Sequence, residues 1–355
     1  MHRGTPRVRR EEHVRRFAIA LVAACAATPA AAVDPSPELI KQAAATAGGE
    51  IVVQSALFDS TNKDFAQGFN AKFGSQGLHV KVVRYQSSQQ VQLYDQELRA
   101  GKVSADVMFF VEPPLFVRLA REDKLTKYCS SNFADYRPEA LTPACSYFYV
   151  NSYLQYLAYN TDLMPQPPTS WHDLIDPKWK GKTSIPDPKI GGGHYYFVFT
   201  IYKLFGKDWF AKARGNDALL TQSHGVTENQ VMSGERYFGV SISVLTRNDG
   251  PYPGGKQAPI KESLPKEGGA LLAGGLGITK GGPNPAGAKV FVDWASSLEG
   301  QRVINHNGLF SLRKDFTSRE GDDLSKMHYL WFDPDEMEKN RDQYTREAEK
   351  ILTGD

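Results

Sequence analysis

The stretch from Val80 to Glu112 constrains the fold more than any other part of the chain. Its pattern is a buried strand, a polar loop with paired serines, an amphipathic helix closed by a glycine, and a second apolar strand that stops on an acid. Such a unit predicts parallel strands with a right-handed crossover, and its loop leaves the carboxyl end of the sheet. Open α/β sheets bind small ligands at that edge.

The same alternation extends toward the N-terminus. A β-rich run over Glu50–Ala56 precedes a helix in which Phe65, Phe69 and Phe73 recur every four residues and therefore share one face. The order β-α-β-α-β predicts a doubly wound α/β sheet. Further along we expect strands at Tyr153–Tyr159, Lys182–Pro186, Tyr237–Ser243 and Ala270–Thr279, helices at His194–Leu204, Asp208–Leu219, Glu228–Ser233 and Pro285–Ser297, an exposed loop at Gly254–Leu264, and a charged helical end from Lys326.

The first 32 residues are expected to be a cleavable export signal. A basic run ending at Arg16 precedes an apolar stretch, Phe17–Ala32, that ends in small residues at Ala30 and Ala32. We expect cleavage near Ala32, with a tether through an acylated Cys25 as the alternative. The apolar stretch is too short for a good membrane span, and no later segment is long and apolar enough for one.

Composition and cysteines narrow the class of protein. Hydrophobic residues make up 41% of the 355 residues and the formal charge is +2, values that are globular and do not suggest a nucleic-acid surface. With Cys25 in the leader, Cys129 and Cys145 remain. An even pair in an oxidising compartment predicts a disulfide, with two buried free thiols as the alternative. No zinc-type spacing is present, and no cofactor is expected.

Five segments, taken in order, resemble the iron-type class of periplasmic solute-binding proteins of ABC importers. The third contains the run SWHDLIDPKWKGK and the fifth the run ITKGGPNPAGAKVFVDWASSLEGQ, and these two are the specific ones. The likeness covers nearly all of the chain that follows the leader. The segments are Val52–Gly74, Val82–Phe110, Tyr156–Pro188, Gly225–Ser243 and Gly274–Ile304.

The resemblance implies two α/β lobes, each a mostly parallel sheet flanked by helices, joined by crossing hinge strands. Solute would be held in the cleft between the lobes and delivered to an ABC permease in the inner membrane. We therefore expect a periplasmic, monomeric receptor that binds a small-molecule solute and no nucleic acid. The expected organisation is a leader at 1–32, a first lobe at 33–158, a second lobe at 159–268, a return to the first lobe at 269–315, and a C-terminal helical segment at 316–355.

One departure from the family pattern bears on the solute. Ferric-iron members carry a tyrosine pair just after the strand that corresponds to Tyr237–Ser243, whereas this chain has Ser243–Thr246 there. Its adjacent tyrosines, Tyr195–Tyr196, follow the glycine run instead. Phe58–Ser60 replaces the usual His or Glu of the first loop. We therefore predict an anionic or polyhydroxylated organic solute, phosphorylated compounds included, with no metal site, and ferric iron is the alternative.

Physical chemistry indicates where such a solute would bind. Helix N-termini carry free N–H groups and a positive dipole end, so they attract anions. Three such ends follow predicted strands, and they bear serine, threonine or glycine. For each residue alone an ordinary helix cap is the simpler interpretation, but three ends facing one cleft favour ligand binding. The candidate ligand-binding residues are Ser55, Ser60, Thr61, Asn62, Ser87, Ser88, Glu112, Gly192, Gly193, His194, Tyr195, Thr227, Ser241 and Ser243.

The polar and charged candidates have alternative roles. Glu112 accepts a hydrogen bond from a ligand amine or hydroxyl, or else caps a helix or forms a salt bridge. Ser241 and Ser243 share one face of the hinge strand, which lines the cleft or pairs with a neighbour. Arg84 and Arg247 are candidate partners for an anion, with a solvated surface position as the alternative.

The sequence contains no G-x-S-x-G elbow, no H-E-x-x-H motif and no P-loop. We therefore expect a binding protein and not an enzyme. A secreted hydrolase that uses Asp106 and Glu112 as a carboxylate pair is the second hypothesis, and an adhesive surface module is the third.

Overall fold

The computed structural model describes Met1 and residues 34–57, 59–242, 258–305, 309–317 and 323–354. Residues 2–33, which hold Cys25 and nearly all of the expected export signal, lie outside these residues, as do Phe58, Ser243 and Arg247. Among the described residues, no helix has both the length and the apolarity that a membrane crossing needs.

Strands and helices alternate along most of the chain. The strands are β1 Glu50–Ser55, β2 His79–Arg84, β3 Val107–Phe110, β4 Leu125–Thr126, β5 Phe148–Asn160, β6 Thr183–Pro186, β7 Leu219–Thr221, β8 Phe238–Ile242, β9 Ile260–Ser263, β10 Gly269–Thr279 and β11 Tyr329–Leu330. The helices are α1 Pro37–Ala45, α2 Asp59–Phe73, α3 Ser87–Ala100, α4 Pro113–Arg121, α5 Gly193–Phe205, α6 Asp208–Gly215, α7 His224–Met232, α8 Pro285–Ser296, α9 Leu298–Ile304 and α10 Pro334–Thr353.

Two groups of parallel strands form the centres of two lobes. In the first lobe β1 pairs in parallel with β2 and with β3, so that Ile51 lies opposite Val80 and Val53 opposite Val107. In the second lobe β6 pairs in parallel with β7 and with β8. Parallel strands need helical crossovers, and the helices between them supply these. The predicted α/β architecture is confirmed.

Two long strands join the lobes. β5 has 13 residues and β10 has 11, and every residue of both is buried. The two strands pair antiparallel with each other. β10 also pairs with β3 of the first lobe, and β5 pairs with β8 of the second. These are the crossing strands that the family resemblance implied.

The core of the first lobe follows from the predicted phenylalanine face of α2. Phe65, Phe69 and Phe73 are each at most 1% exposed. The Phe69 ring meets Trp294 of α8 edge-on at 5.5 Å between centroids, and Phe65 meets Phe291 at 5.8 Å. Such aromatic pairs contribute about 0.5–1.5 kcal/mol each beyond the area that they bury.

The predicted disulfide joins Cys129 and Cys145, whose Cα atoms are 5.1 Å apart. It closes a segment of short 3-10 turns between β4 and β5. In the chain-entropy model, a loop of this size stabilises the fold by about 3 kcal/mol.

Several boundary predictions were wrong. Ile260–Ser263 is a strand and not part of an exposed loop, because it pairs with β5. Leu219 lies in β7, since the preceding helix ends at Gly215. β5 begins at Phe148, five residues before the predicted start at Tyr153. Finally, α7 begins at His224 and not at Glu228.

The C-terminal helix α10 contacts both lobes. Its Glu338 pairs with Arg121 of α4 in the first lobe at 3.0 Å, and its Glu336 pairs with Lys203 of α5 in the second lobe at 2.7 Å. The Tyr202 ring of α5 stacks on Tyr344 at 4.0 Å between centroids. The charged end that was expected to be helical from Lys326 contains β11 and becomes the helix α10 only at Pro334. This helix lies across the junction between the lobes.

Candidate functional site

A cavity of about 530 Å³ lies between the two lobes. From the first lobe it is lined by residues at and after the carboxyl ends of β1, β2 and β3, among them Arg84, Ser87 and Glu112. From the second lobe it is lined by 190–194 and 222–225. Tyr153 of β5 and Leu272 of β10 line it from the crossing strands. This is the edge at which open α/β sheets bind ligands.

Three helices begin at the cavity: α3 from the first lobe, and α5 and α7 from the second. The cap residue of α7, Ser223, accepts a hydrogen bond of 3.2 Å from the main-chain N–H of Val226. α3 begins after Gln86, whose own N–H donates to Gln89 Oε1 at 3.1 Å. The first N–H groups of a helix have no partner within the helix. First-turn main-chain N–H groups and positive dipole ends therefore lie at the cavity and suit an anion. At α5 the N–H groups of His194 and Tyr195 already donate to the carbonyl oxygens of Gly191 and Gly192 at 3.1 Å, and that of Gly193 precedes them.

The start of α5 requires glycine. Gly191 and Gly192 have φ of +75° and +54°, a left-handed region that side chains disfavour. At Gly193 a Cβ would lie 2.9 Å from Leu272 Cδ2 and 3.1 Å from His224 Nε2, closer than ordinary contact. The glycines thus let the backbone itself form this side of the cavity.

Two histidines lie side by side here, with ring centroids 5.2 Å apart. His194 Nδ1 is 3.0 Å from the carbonyl oxygen of Asp187, and His224 Nδ1 is 3.4 Å from that of Val240. Because a carbonyl only accepts, Nδ1 carries the proton in both rings and Nε2 is left as an acceptor. Burial lowers the pKa of His194, and burial together with the neighbouring His194 lowers the pKa of His224 to about 3. Both rings are therefore neutral at neutral pH.

Two of the described lining residues carry formal charges. Arg84 has a side chain that is 45% exposed, and its Nε donates to the carbonyl oxygen of Leu57 at 3.1 Å. Glu112 is 1% exposed and accepts a hydrogen bond from Arg341 of α10. Burial raises the pKa of Glu112, whereas the positive charge of Arg341 and, to a smaller extent, that of Arg118 lower it. Arg84 also pairs with Asp59 Oδ2 at 3.4 Å, and it is the more exposed of these two lining charges.

The structure brings five of the predicted site residues to the cavity: Ser87, Glu112, Gly192, Gly193 and His194. Ser88 belongs to the first turn of α3. Ser243 lies outside the described residues.

The other predicted site residues are not among those that line the cavity, and most of their side chains have partners elsewhere in the fold. The Ser55 hydroxyl donates to Asn62 Oδ1 at 2.6 Å, so both side chains serve the β1–α2 turn. Ser60 is exposed and Thr61 is buried, and neither lines the cavity. The Tyr195 hydroxyl donates to the carbonyl oxygen of Met337 at 2.5 Å, Thr227 pairs with Thr221 at 2.9 Å, and Ser241 donates to the buried carboxyl of Glu228.

Sequence reasoning missed one side of the cavity. Gln222, Ser223, His224 and Gly225 line it but were not candidates. The signal was present in the chain, because Ser223, two residues after the β-rich run Leu219–Thr221, is of a type that commonly caps a helix start.

No cluster of three or more His, Cys, Asp or Glu side chains suited to a metal ion occurs among the described residues. The adjacent tyrosines are both engaged elsewhere. Tyr195 binds Met337 as described, and the Tyr196 hydroxyl accepts from the main-chain N–H of Ala273 at 3.1 Å.

Comparison with known proteins identifies the family. The model described as bacterial extracellular solute-binding protein matches residues 58–302. A putative 2-aminoethylphosphonate-binding periplasmic protein of Salmonella typhimurium is 24% identical over 275 residues, 74% of this chain and 77% of that protein. An uncharacterized Haemophilus influenzae protein is 33% identical over 148 residues, and the match spans only 41% of that relative's length.

Solved structures share the fold. Iron-bound HitA from Pseudomonas aeruginosa superposes with a TM-score of 0.73 at 20% identity, over 84% of this chain and 99% of that one. AfuA from Actinobacillus pleuropneumoniae, with fructose-6-phosphate bound, superposes with a TM-score of 0.70 at 22% identity, over 86% of this chain and 97% of that one. AfuA is described as a periplasmic binding protein, and the two-lobed fold predicted for this chain is confirmed.

Proposed function

Because this chain belongs to the bacterial extracellular solute-binding proteins, which serve ABC importers, we propose that its cavity captures a small anionic organic solute. A compound with a phosphoryl or phosphonyl group, polyhydroxylated or not, fits best. The solute would pass from the periplasm to a membrane permease. Periplasmic location follows from the family, while cleavage of the leader near Ala32 and a monomeric state belong to the proposal.

The single observation that carries the proposal is the convergence of three helix starts on one cavity. The first turns of α3, α5 and α7 all contribute lining residues, and Arg84, which also pairs with Asp59 at 3.4 Å, adds a cation. Phosphoryl and phosphonyl groups offer three acceptor oxygens, so they match donors that arrive from both lobes. The binding of fructose-6-phosphate by AfuA agrees with this class of solute. The name of the Salmonella relative agrees with the phosphonyl group alone.

Capture would proceed by hinge closure. β5 and β10 are the buried connections between the lobes, and bending at such strands swings lobes together around a ligand. For this motion we retain the division into 33–158, 159–268, 269–315 and 316–355. Nothing in the cavity requires a chemical step, so we propose binding without turnover.

Ferric iron is the second candidate, favoured by the likeness to HitA, a protein whose structure contains iron. Phenolate oxygen suits this hard cation. In the present chain, however, the hydroxyls of Tyr195 and Tyr196 are hydrogen-bonded to the main chain of Met337 and Ala273. Iron would therefore need other ligands.

The test is isothermal titration of the purified protein with glucose 6-phosphate, fructose 6-phosphate, ethylphosphonate, 2-aminoethylphosphonate, succinate and ferric citrate. We expect saturable binding of at least one phosphorus compound, heat stabilisation of about 2.7 kcal/mol at a hundredfold excess over its Kd, and no product by phosphorus NMR. Binding of ferric iron alone, with a visible absorption band, would replace the proposal with the second candidate. Turnover of any compound would support the hydrolase hypothesis.

A further inference from the structure

The wall of the cavity at Glu112 is built from three parts of the chain. Glu112 is the cap residue before α4 and faces the cavity from the first lobe. Arg341 of α10 binds its carboxylate through Nη2. Arg341 does not itself line the cavity, but lines the grooves on the outer side, between α10 and α4 and beside Gly191. The arginine therefore reaches the carboxylate from behind.

The second lobe closes over the same pair. A Cβ at Gly191 would lie 3.4 Å from Arg341 Nη2 and 3.8 Å from Glu112 Oε1. The glycine turn that begins α5 thus lies directly against the ion pair. Glu112 is held where the first lobe, the second lobe and α10 meet, and it has little freedom to turn toward another partner.

This arrangement decides what charge the wall offers to a solute. A buried carboxylate without a partner is costly, so it would readily accept a ligand ammonium group. Here Arg341 already supplies the compensating charge. If Glu112 is ionised the pair is neutral, and if it is protonated the pair is cationic, so in neither state does the wall attract an ammonium group.

We propose that Arg341 is a specificity-determining residue of the cavity. By binding Glu112 from behind, it makes the site accept organic oxyanions that lack an ammonium group and discriminate against zwitterionic analogues of the same size. This inference rests on the proposed function and narrows its solute class. Arg341 acts through Glu112 and does not touch the solute.

The experiment compares two matched ligand pairs: ethylphosphonate with 2-aminoethylphosphonate, and glucose 6-phosphate with glucosamine 6-phosphate. Each pair differs by one ammonium group. The proteins are the wild type, Arg341→Gln, Glu112→Gln/Arg341→Gln, and Arg346→Gln as a control on an exposed arginine of the same helix. Circular dichroism verifies that each variant is folded, and titration calorimetry gives the ratio of Kd values within each pair.

For at least one pair we expect the wild type to bind the compound without the ammonium group about tenfold more tightly or better. Arg341→Gln should shift that ratio about tenfold toward the amino compound, because Glu112 then needs a new partner. The double variant should lose the shift, and Arg346→Gln should keep the wild-type ratio.

The outcomes separate this inference from the proposed function. Three results would overturn the role of Arg341 and leave the proposed function standing. They are wild-type binding with a Kd ratio that is unchanged in Arg341→Gln, equal wild-type affinity within each pair that binds, and a shift in the ratio that survives in the double variant. A wild-type protein that binds neither pair counts against the proposed function and this inference together.

Discussion

The side-chain amide of Gln155, on β5, donates a hydrogen bond of 2.9 Å to the carbonyl oxygen of Gly193 at the start of α5. Gln155 is fully buried on a strand that joins the two lobes. Gly193 lines the cavity. The bond therefore connects the hinge directly to the backbone that we propose to bind the solute.

Replacing Gln155 with Met should weaken solute binding while keeping most of the side-chain volume. The lost bond leaves the Gly193 carbonyl with one partner fewer, and we expect a loss of about 1–3 kcal/mol in the free energy of unfolding. We also expect about a tenfold higher Kd. Urea denaturation and calorimetry measure the two effects, and Gln76→Met, at an exposed position, is the control. Unchanged affinity would show that this bond does not position α5 for binding.

Replacing Arg84 with Ala should lower affinity for an anionic solute by about tenfold to a hundredfold, the size of one charge-assisted hydrogen bond. The loss should shrink as salt is added, because the interaction is partly screened. Arg99→Ala, which removes an exposed arginine of α3, should leave affinity unchanged. Equal effects of the two variants would mean that only net charge matters and that Arg84 does not contact the solute.

Replacing Gly193 with Ala should reduce affinity more than it reduces stability. The new methyl group would lie 2.9 Å from Leu272 Cδ2 and 3.1 Å from His224 Nε2, so both side chains must shift into the cavity or away from it. Gly74→Ala is the matched control, because a Cβ there meets nothing within 4 Å. A Gly193 variant that binds as the wild type does would place the solute away from the start of α5.

Glu228 should make the protein less stable as the pH rises. Burial raises the pKa of Glu228 to about 8, whereas an unfolded glutamate titrates near its ordinary value of about 4.3. Between these values the folded state holds a proton that the unfolded state has lost. The free energy of unfolding therefore falls with rising pH in this window, and the stabilisation is complete only below it.

Glu228→Gln should flatten that dependence, since the amide cannot ionise and its oxygen still accepts from Ser241. Urea denaturation near pH 5 and near pH 8 should show the variant to be the more stable protein at the higher pH only. Glu235→Gln, at an exposed position, serves as control. A wild-type protein whose stability does not fall over this range, relative to the Glu228 variant, contradicts the assignment.

The elements fixed by local chemistry could be predicted from the sequence. The spacing of Phe65, Phe69 and Phe73 placed α2 against the core, and Gly101, with φ of +69°, ends α3 as a left-handed cap. Elements fixed by distant partners could not be predicted. Ile260–Ser263 has a single apolar residue, and it pairs as a strand with Leu157–Asn160 of β5, a partner distant in the chain that its own sequence does not indicate.

The same distinction separates the predicted from the unpredicted parts of the site. Glycine and serine runs after strands located Ser87 and Gly193, because their role depends on the adjacent helix. Ser55 and Asn62 are also polar residues near the end of a strand, but their side chains bind each other. Which partner such side chains take depends on the packing of the turn. The pairing of Glu112 with Arg341, 229 residues away, has no local signal at all.

The central claim is that main-chain donors from both lobes hold an oxyanion in this cavity. The most direct measurement is a crystal structure of the protein with the phosphorus compound that binds most tightly. We predict the phosphoryl or phosphonyl oxygens within about 3 Å of main-chain nitrogens at the starts of α3 and α5, with Arg84 beside them. A solute bound outside the cavity, or an iron ion in it with no organic anion, would contradict the account.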